Sequence, residues 1–243
     1  MDKKRLLILI IPILMVLVIP FIIYLYNFNS IAFNEDLYKE EFSKYDIYND
    51  LKNYDIEEIN NDVLNYLMNG KNNLIKNNFF NAREKTHLLD VKNLIQTIIN
   101  IYYISLILFI ILIIILITLL NFNFRNIGKK LLIILAIGSL LTLLGTVLFF
   151  ISSSLNFDFT FDLFHKTFFI PGTFTFNPEF ENIVVLYPQD LFFDFLIKII
   201  SNTLLSSIIL FSVSIILFSI FFRPNLRIFF KKLPTIKIKN RKV

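Results

Sequence analysis

The sequence predicts an α-helical integral membrane protein with four transmembrane helices and a small extracytoplasmic α+β cap built from its two long outer loops. Two observations support this fold class: four apolar stretches recur along the chain, and charge is segregated between the segments that join them. In addition, 56% of the 243 residues are apolar and the mean hydropathy is +0.65, which excludes an ordinary soluble domain.

Each apolar stretch has the roughly 20 residues that a helix needs to cross a hydrocarbon layer of about 30 Å. We predict transmembrane helices at residues 1–28, 98–120, 131–151 and 195–222. The basic start of the first stretch is typical of a signal peptide, but its apolar run at 6–26 is longer than the usual apolar core of one. We therefore expect a retained anchor helix that Pro12 and Pro20 bend without ending.

The distribution of charge predicts the orientation. Basic residues precede the first stretch, at positions 3–5, and three more lie in the predicted link at 121–130; the predicted tail at 223–243 carries eight Lys or Arg and no acid. In contrast, loop one (29–97) holds 12 acids against 8 bases, and loop two (152–194) holds six acids against Lys166 alone. Because Lys and Arg stay cytoplasmic, both termini and the link are predicted to be cytoplasmic and both loops extracytoplasmic. The same flanks account for the net charge of +5, so we predict no nucleic-acid partner.

Loop one is predicted to be helical. A mixed helical spacing covers 34–52, and apolar residues from Ile56 to Leu67 then recur every three or four positions. Asn81 with Glu84 three residues later has the spacing of a capping box, and nothing after it breaks the helix before the second span. His87 then lies about 16 Å above the apolar core of that span, at 1.5 Å per residue, which is the level of the lipid headgroups.

Loop two is predicted to form strands. Phe157, Phe159 and Phe161 alternate with polar residues, and a β-branched run at 183–187 suggests a second strand. We expect a small sheet or hairpin with Gly172 at its bend. Twelve aromatic residues lie between positions 157 and 193. They either fill the core of the cap or form a surface or groove that receives acyl chains.

The chemistry that the sequence offers centres on its two histidines, His87 and His165, one in each outer loop. Helical spacing puts Arg83, Glu84 and Asp90 on the same face as His87. Either acid would then orient the ring and leave its other nitrogen as a base, or these charges form only a solvated face.

Several other chemistries are disfavoured. The chain has no cysteine, so it has no disulfide and no thiol nucleophile. It also lacks a G-x-S-x-G motif and any metal-ligand spacing, although both histidines with Asp90, Asp158 or Asp162 would form a conceivable zinc set. We predict no metal and no cofactor. Transport is disfavoured because the apolar cores of the four spans contain no ionisable residue; Lys198 lies only at the outer edge of span four, four residues after Asp194, where we expect the two to pair.

Two signatures resemble those of the bacterial lipoprotein intramolecular transacylases, a family of four-span membrane proteins. The first leads into span two and reads Arg83-Glu84-Lys85-x-His87-Leu88-x-Asp90-Val91-Lys92. The second comprises Phe164-His165-x-x-Phe168-Phe169, Gly172-Thr173 and Tyr187-Pro188-x-x-Leu191-Phe192-Phe193. The resemblance spans nearly the whole chain, and both histidines fall at the family's two histidine positions. One departure is Phe174, where the family tends to have a tryptophan; the exchange keeps an aromatic ring and removes an indole N–H donor.

The resemblance implies an acyl shift within one diacylglyceryl lipoprotein. The sn-2 chain moves to the α-amino group of the substrate's own N-terminal cysteine and leaves a lyso-form lipoprotein. His87 and His165 would be catalytic, with His165 favoured as the base. The residues that would support or position them are Arg83, Glu84, Asp90, Phe164, Phe168, Phe169 and Phe174.

The residues fit this chemistry independently, because the substrate supplies the amine nucleophile and the enzyme needs none of its own. The expected partners are the lipoprotein and membrane lipid, and the sequence does not predict an oligomeric state. Two rival classes stay open: a non-catalytic membrane sensor or assembly factor, and an acyltransferase that acts on another lipid ester.

Overall fold

The computed structural model describes residues 3–69, 74–170 and 172–222. The predicted basic tail at 223–243 lies outside these residues. Within the described ranges the helices are, in order, α1 (Lys3–Ala32), α2 (Glu35–Lys44), α3 (Ile47–Asp50), α4 (Ile56–Met68), α5 (Ala82–Leu119), α6 (Phe124–Leu155), α7 (Phe157–Phe168), α8 (Ile183–Leu186) and α9 (Gln189–Phe222).

Four of these helices, α1, α5, α6 and α9, are long and apolar enough to cross a membrane. The prediction of four membrane-spanning helices is therefore confirmed. Helix α1 runs through Pro12 and Pro20 as a single helix. Leucine, isoleucine and phenylalanine side chains stay exposed along the outer faces of the four helices, as expected for surfaces in contact with lipid; they include Ile13, Ile104, Leu148 and Ile220.

The four long helices pack as a bundle through small and hydroxylated side chains. Gly138 of α6 lets Ile19 of α1 approach its backbone, and Tyr24 and Thr146 share a hydrogen bond of 2.6 Å between α1 and α6. Small residues at helix contacts are typical of membrane bundles, because they allow close approach where no hydrophobic driving force acts between helices. The apolar centre of the bundle includes the buried side chains of Met15, Leu116 and Ile134.

The predicted α+β cap is wrong, because no strand occurs in the described part of the chain. The segment that begins at Phe157 forms α7, and the β-branched run forms the short helix α8. The alternation at 157–161 also fits a helix, since Phe157, Phe161, Phe164 and Phe168 recur at intervals of four, three and four residues. Asn156 starts α7, because its side chain accepts a hydrogen bond from the backbone N–H of Phe159 at 2.9 Å.

Helix α8 shows how tertiary contacts override a local preference for strand. Its first backbone N–H, that of Ile183, donates to Glu84 Oε1 at 2.7 Å, which caps the start of the short helix from a distant segment. Gly172 does lie at a turn, with φ of +89°, a backbone conformation that favours glycine.

The cap is a helical layer, α2 to α4 and α8, that packs on the first turns of α9 and α5. Its core includes the fully buried side chains of Phe42, Leu186 and Leu191. Ion pairs tie α2 to α9: Lys198 lies 3.0 Å from both Glu40 and Glu41. The long helix α5 belongs to both layers, because it begins in the cap and continues into the bundle. It therefore carries side chains from the cap to the membrane without a break.

Candidate functional site

The two histidines meet where the cap joins the bundle. His87 lies on the second turn of α5 and His165 near the end of α7, yet their ring centroids are 6.4 Å apart and the rings are nearly parallel, at 18°. His87 is 7% exposed, and His165 is partly buried. Residues separated by 78 positions thus form one cluster.

The start of α5 is held in place by Glu84, whose side chain is almost fully buried. The predicted capping box is confirmed: the Asn81 side chain accepts from the backbone of Glu84, and Glu84 Oε2 accepts from the backbone of Asn81 at 2.5 Å. Its other oxygen caps α8 at Ile183. Both carboxylate oxygens therefore accept from backbone N–H groups, and Glu84 fixes the helix that carries His87.

Arg83 holds the loop that follows α7. Its guanidinium donates to both oxygens of Glu181, at 2.9 and 3.3 Å, and to the carbonyl oxygens of Gly172, at 3.1 Å, and Thr175. It also lies over the ring of Phe176, 5.0 Å from its centroid. Glu181 is buried and accepts in addition from a backbone N–H of the same loop. These contacts fix residues 172–181 against α5.

Phenylalanine rings surround the two imidazoles. Four of them contact His165, with centroid distances of 4.2 to 5.4 Å: Phe161, Phe164, Phe169 and Phe174. Two contact His87, at 4.9 and 5.2 Å: Phe169 and Phe176. Phe169 thus touches both histidines, whereas Phe168 packs on Phe164 at 5.1 Å. The surroundings of the pair are apolar.

Sequence reasoning missed three of these side chains: Phe161, Phe176 and Glu181. Phe161 lies four residues before His165, a spacing that signals contact only when the segment is read as a helix. The sequence indicated a role for Glu181 only weakly. Its loop contains several acids and a single lysine, so a cation to pair with Glu181 had to come from another segment. Phe176 had no signal in the sequence beyond its loop's richness in phenylalanine.

A backbone contact sets the tautomer of His165. Its Nδ1 lies 2.8 Å from the carbonyl oxygen of Phe161, which can only accept, so Nδ1 carries the proton and donates. The lone pair of the neutral ring is then on Nε2, where it is available as a base. In His87, by contrast, Nδ1 is buried without a hydrogen-bond partner.

Burial keeps both rings neutral at pH 7. Desolvation lowers the pKa of His165 below its usual 6.5, although the Phe161 carbonyl and the charge of Asp162 act in the opposite direction. The pKa of His87 falls to about 4, chiefly through burial, with further contributions from His165 and Arg83. The pair therefore offers two uncharged imidazoles in apolar surroundings.

A groove of about 240 Å³ lies next to the histidine cluster: neither histidine lines it, but Phe169 in its wall contacts both rings. One wall is a face of α5 and the other is the end of α7 with the residues after it; the lining consists of Asp90, Asn93, Leu94, Thr97, Phe168, Phe169 and Ile170. Asp90 Oδ2 is buried here without a hydrogen-bond partner. A larger depression of about 850 Å³ lies between α3 and α4 and is likewise lined by neither histidine. In the described ranges, no three His, Cys, Asp or Glu residues cluster as a metal site would require.

The sequence profile of the family described as "Lipoprotein intramolecular transacylase Lit" matches residues 13–193. The chain belongs to this family. The match contains both histidines and all the groove residues. It confirms the resemblance seen in the two signatures, and it confirms the predicted activity of a membrane acyltransferase of the lipoprotein intramolecular transacylase class.

Solved structures support the fold. The transacylase Lit from Bacillus cereus superposes with a TM-score of 0.70 and is 23% identical, over 86% of this chain and 93% of that one. A variant of the same protein with a histidine-to-alanine substitution gives a TM-score of 0.68 and 22% identity, over 87% and 91% of the two chains. No curated protein matches the sequence significantly. The transacylase is thus a multi-pass membrane protein with the fold of the Bacillus cereus enzyme.

Proposed function

We propose that the transacylase moves the sn-2 acyl chain of a diacylglyceryl lipoprotein to the α-amino group of the lipoprotein's own N-terminal cysteine. The observation that carries this proposal is the pair of neutral imidazoles, 6.4 Å apart in an aromatic enclosure beside a groove. The amine nitrogen attacks the ester carbonyl carbon, and the bond from that carbon to the glyceryl oxygen breaks. The amine loses one proton and the glyceryl oxygen gains one, so substrate and product are isomers.

His165 acts as the general base. Its Nδ1–H is committed to the Phe161 carbonyl, so Nε2 is the nitrogen that accepts the proton of the attacking amine. The lowered pKa keeps this ring unprotonated at pH 7, which is the form that a base requires. Phe161, Phe164 and Phe174 hold the ring on several sides. A base fixed in this way loses little orientational freedom when the substrate binds.

His87 stabilises the oxyanion and assists departure of the glyceryl oxygen. With a pKa of about 4 it stays neutral through the reaction, so it presents an N–H donor rather than a second charge. In apolar surroundings a fixed donor stabilises a developing negative charge much more than it would in water. The different shifts of the two rings thus support different roles for them.

The remaining predicted residues position this pair. Arg83 and Glu84 join α5 to the loop at 172–181 and to α8. These contacts fix the position of His87 relative to the aromatic rings. Phe164, Phe168, Phe169 and Phe174 supply apolar walls that exclude water. Exclusion of water matters here because hydrolysis of the ester competes with transfer of the acyl chain.

The site faces the extracytoplasmic side, at headgroup level. The distribution of Lys and Arg supports this orientation, with the cytoplasmic link and both termini basic and the cap acidic. A groove of about 240 Å³ is smaller than the roughly 300–1,000 Å³ of pockets that enclose a drug-sized ligand. The acyl chains therefore remain in lipid while the ester and the amine enter the groove.

The proposal is tested by expressing the chain in a host that lacks other N-acylating enzymes. Mass spectrometry of its lipoproteins is expected to show an N-terminal fragment that gains one acyl chain, while the parent mass stays unchanged. A lipopeptide with an ether at sn-2 is the matched control and should remain unmodified. A parent mass that increases by one acyl chain would contradict the proposal, because the donor would then be a separate phospholipid.

A further inference from the structure

We propose that Asp90 binds the α-ammonium group of the substrate's N-terminal cysteine. This inference rests on the proposed function and adds the residue that recognises the nucleophile. It starts from a feature that the catalytic pair does not use: Asp90 Oδ2 is buried in the groove and has no hydrogen-bond partner in the structure.

The position of Asp90 fits this role. It lies one helical turn after His87, so the two side chains share a face of α5, with about 5–6 Å between Cβ atoms. Asn93 and Thr97 continue this face and give the groove one polar wall, while Phe168, Phe169 and Ile170 form an apolar wall. Phe169 also contacts both histidines. A headgroup in the groove would therefore have the carboxylate and the catalytic rings within reach at once.

The chemistry of the orphaned oxygen favours a cation. A buried carboxylate oxygen without a partner is unfavourable, and an N–H donor that carries positive charge compensates for it best. Two cations of the same helix are directed elsewhere: Arg83 pairs with Glu181, and the Lys92 ammonium lies over the ring of Tyr66, 4.1 Å from its centroid. The complementary donor is the substrate's α-amino group, which is mostly protonated at pH 7 because its ordinary pKa is about 8.

This contact would also make the enzyme bind the substrate more tightly than the product. The ammonium group binds Asp90, passes one proton to Nε2 of His165 and attacks the ester as the neutral amine. The second proton, which the nitrogen loses as the amide forms, goes to the glyceryl oxygen, and His165 releases the first proton to water. Once acylated, the nitrogen is a neutral amide that cannot pair with the carboxylate as an ammonium does. Transfer of the acyl chain therefore removes the charge that held the substrate, which favours release of the product.

The test measures binding without turnover. The ligands are two lipopeptides in which both glyceryl chains are ether-linked, one with a free α-amino group and one with that group acetylated. Binding to the full-length protein in detergent is expected to favour the free amine by on the order of tenfold, the ratio that one charge-assisted hydrogen bond supplies. Asp90→Asn should abolish this preference, whereas Asp90→Glu should retain part of it. Asp158→Asn is the matched control, because Asp158 has its own partner, Gln189, at 2.8 Å.

Two outcomes would overturn the inference: Asp90→Asn weakens binding of both ligands equally, or it leaves the tenfold preference intact. Wild-type protein provides a second measurement that needs no variant. Its preference for the free amine should disappear as the pH rises above the amine's pKa, about 8, and a constant preference would contradict the proposal. Because neither ligand has an ester, these results do not depend on catalysis. Failure of the proposed function shows separately, in the expression experiment, as a lipoprotein whose parent mass increases by one acyl chain.

Discussion

At the residue scale, one hydrogen bond underlies the proposed difference in role between the two histidines. The Phe161 carbonyl fixes the proton on His165 Nδ1, and the lone pair on Nε2 follows from it. No such bond constrains His87, which is more deeply buried and has the lower pKa. The proposed base and the proposed neutral donor are thus the same residue type in different surroundings.

The pH dependence of kcat/KM tests this division. The active form of His165 is the neutral one, so activity is present above its pKa and is lost as the pH falls through it. Because that pKa is lowered from 6.5, kcat/KM for a lipopeptide substrate, corrected for the fraction of its α-amino group that is neutral at each pH, is expected to stay constant from pH 7 to below 6.5. It should then decline, with a second loss near pH 4 as His87 becomes charged. An acid limb with its midpoint above pH 6.5 would contradict the assignment.

At the element scale, the long helices were predictable and α7 was not. Hydropathy over about 20 residues is a local property, and so is the capping box at Asn81 and Glu84. Over the five residues 157–161, the phenylalanine positions fit both the period of a strand and that of a helix. Only the later rings at Phe164 and Phe168 show that the period is helical. The predicted strand was therefore wrong where the periodicity was too short to decide.

The candidate site was likewise predictable from the sequence in part only. The two histidines, Asp90 and four phenylalanines were recognised by residue type, spacing and resemblance to a family. The contacts of Arg83 with Glu181 and of Glu84 with α8 join residues about 100 positions apart, and nothing local encodes such pairs. The tautomer of His165 was equally inaccessible, because it depends on a carbonyl one helical turn earlier in a segment that was read as a strand.

Packing of α1 against α6 depends on Gly138. A Cβ at this position would lie 2.8 Å from the Cβ of Ile19, which is backbone-attached and cannot swing away. Gly138→Ala is therefore expected to destabilise the bundle by about 1–3 kcal/mol, as overpacking does in other cores, and to lower the thermal unfolding temperature in detergent. Gly145→Ala is the matched control on the same helix, since its nearest neighbour, Tyr24 Oη, is 3.8 Å away. Equal unfolding temperatures for both variants would refute this account of the contact.

At the scale of the whole molecule, the site lies at the junction of two layers rather than within either one. Helix α5 supplies His87 from the cap and continues into the bundle, and α7 brings His165 to it from the opposite side of the groove. Phe168 and Ile170 are 54% and 66% exposed, so the apolar wall of the groove is open to its surroundings. This arrangement suits a substrate whose acyl chains stay in the bilayer while its headgroup reacts.

Orientation in the membrane is a testable property of the whole chain. The basic flanks predict that a reporter active only in the cytoplasm is silent when fused after Asn60 or Pro178, because both positions lie in acidic loops that are predicted to be extracytoplasmic. Fusions after Asn126 or Val243 should be active. Each fusion protein is quantified by immunoblot, so that a silent reporter is not mistaken for an absent protein. Reporter activity at either loop position would reverse the orientation.

The most direct test of the central claim is the rate of the acyl shift after removal of each imidazole. His87→Ala and His165→Ala should each lower the rate of conversion of a diacylglyceryl lipopeptide to its N-acyl isomer by roughly two to four orders of magnitude, the usual effect of general acid–base catalysis. Both variants should keep the thermal unfolding profile of the wild type and still bind the diether lipopeptide. If both variants instead convert the substrate at wild-type rates, the histidines are structural and the proposed mechanism is wrong.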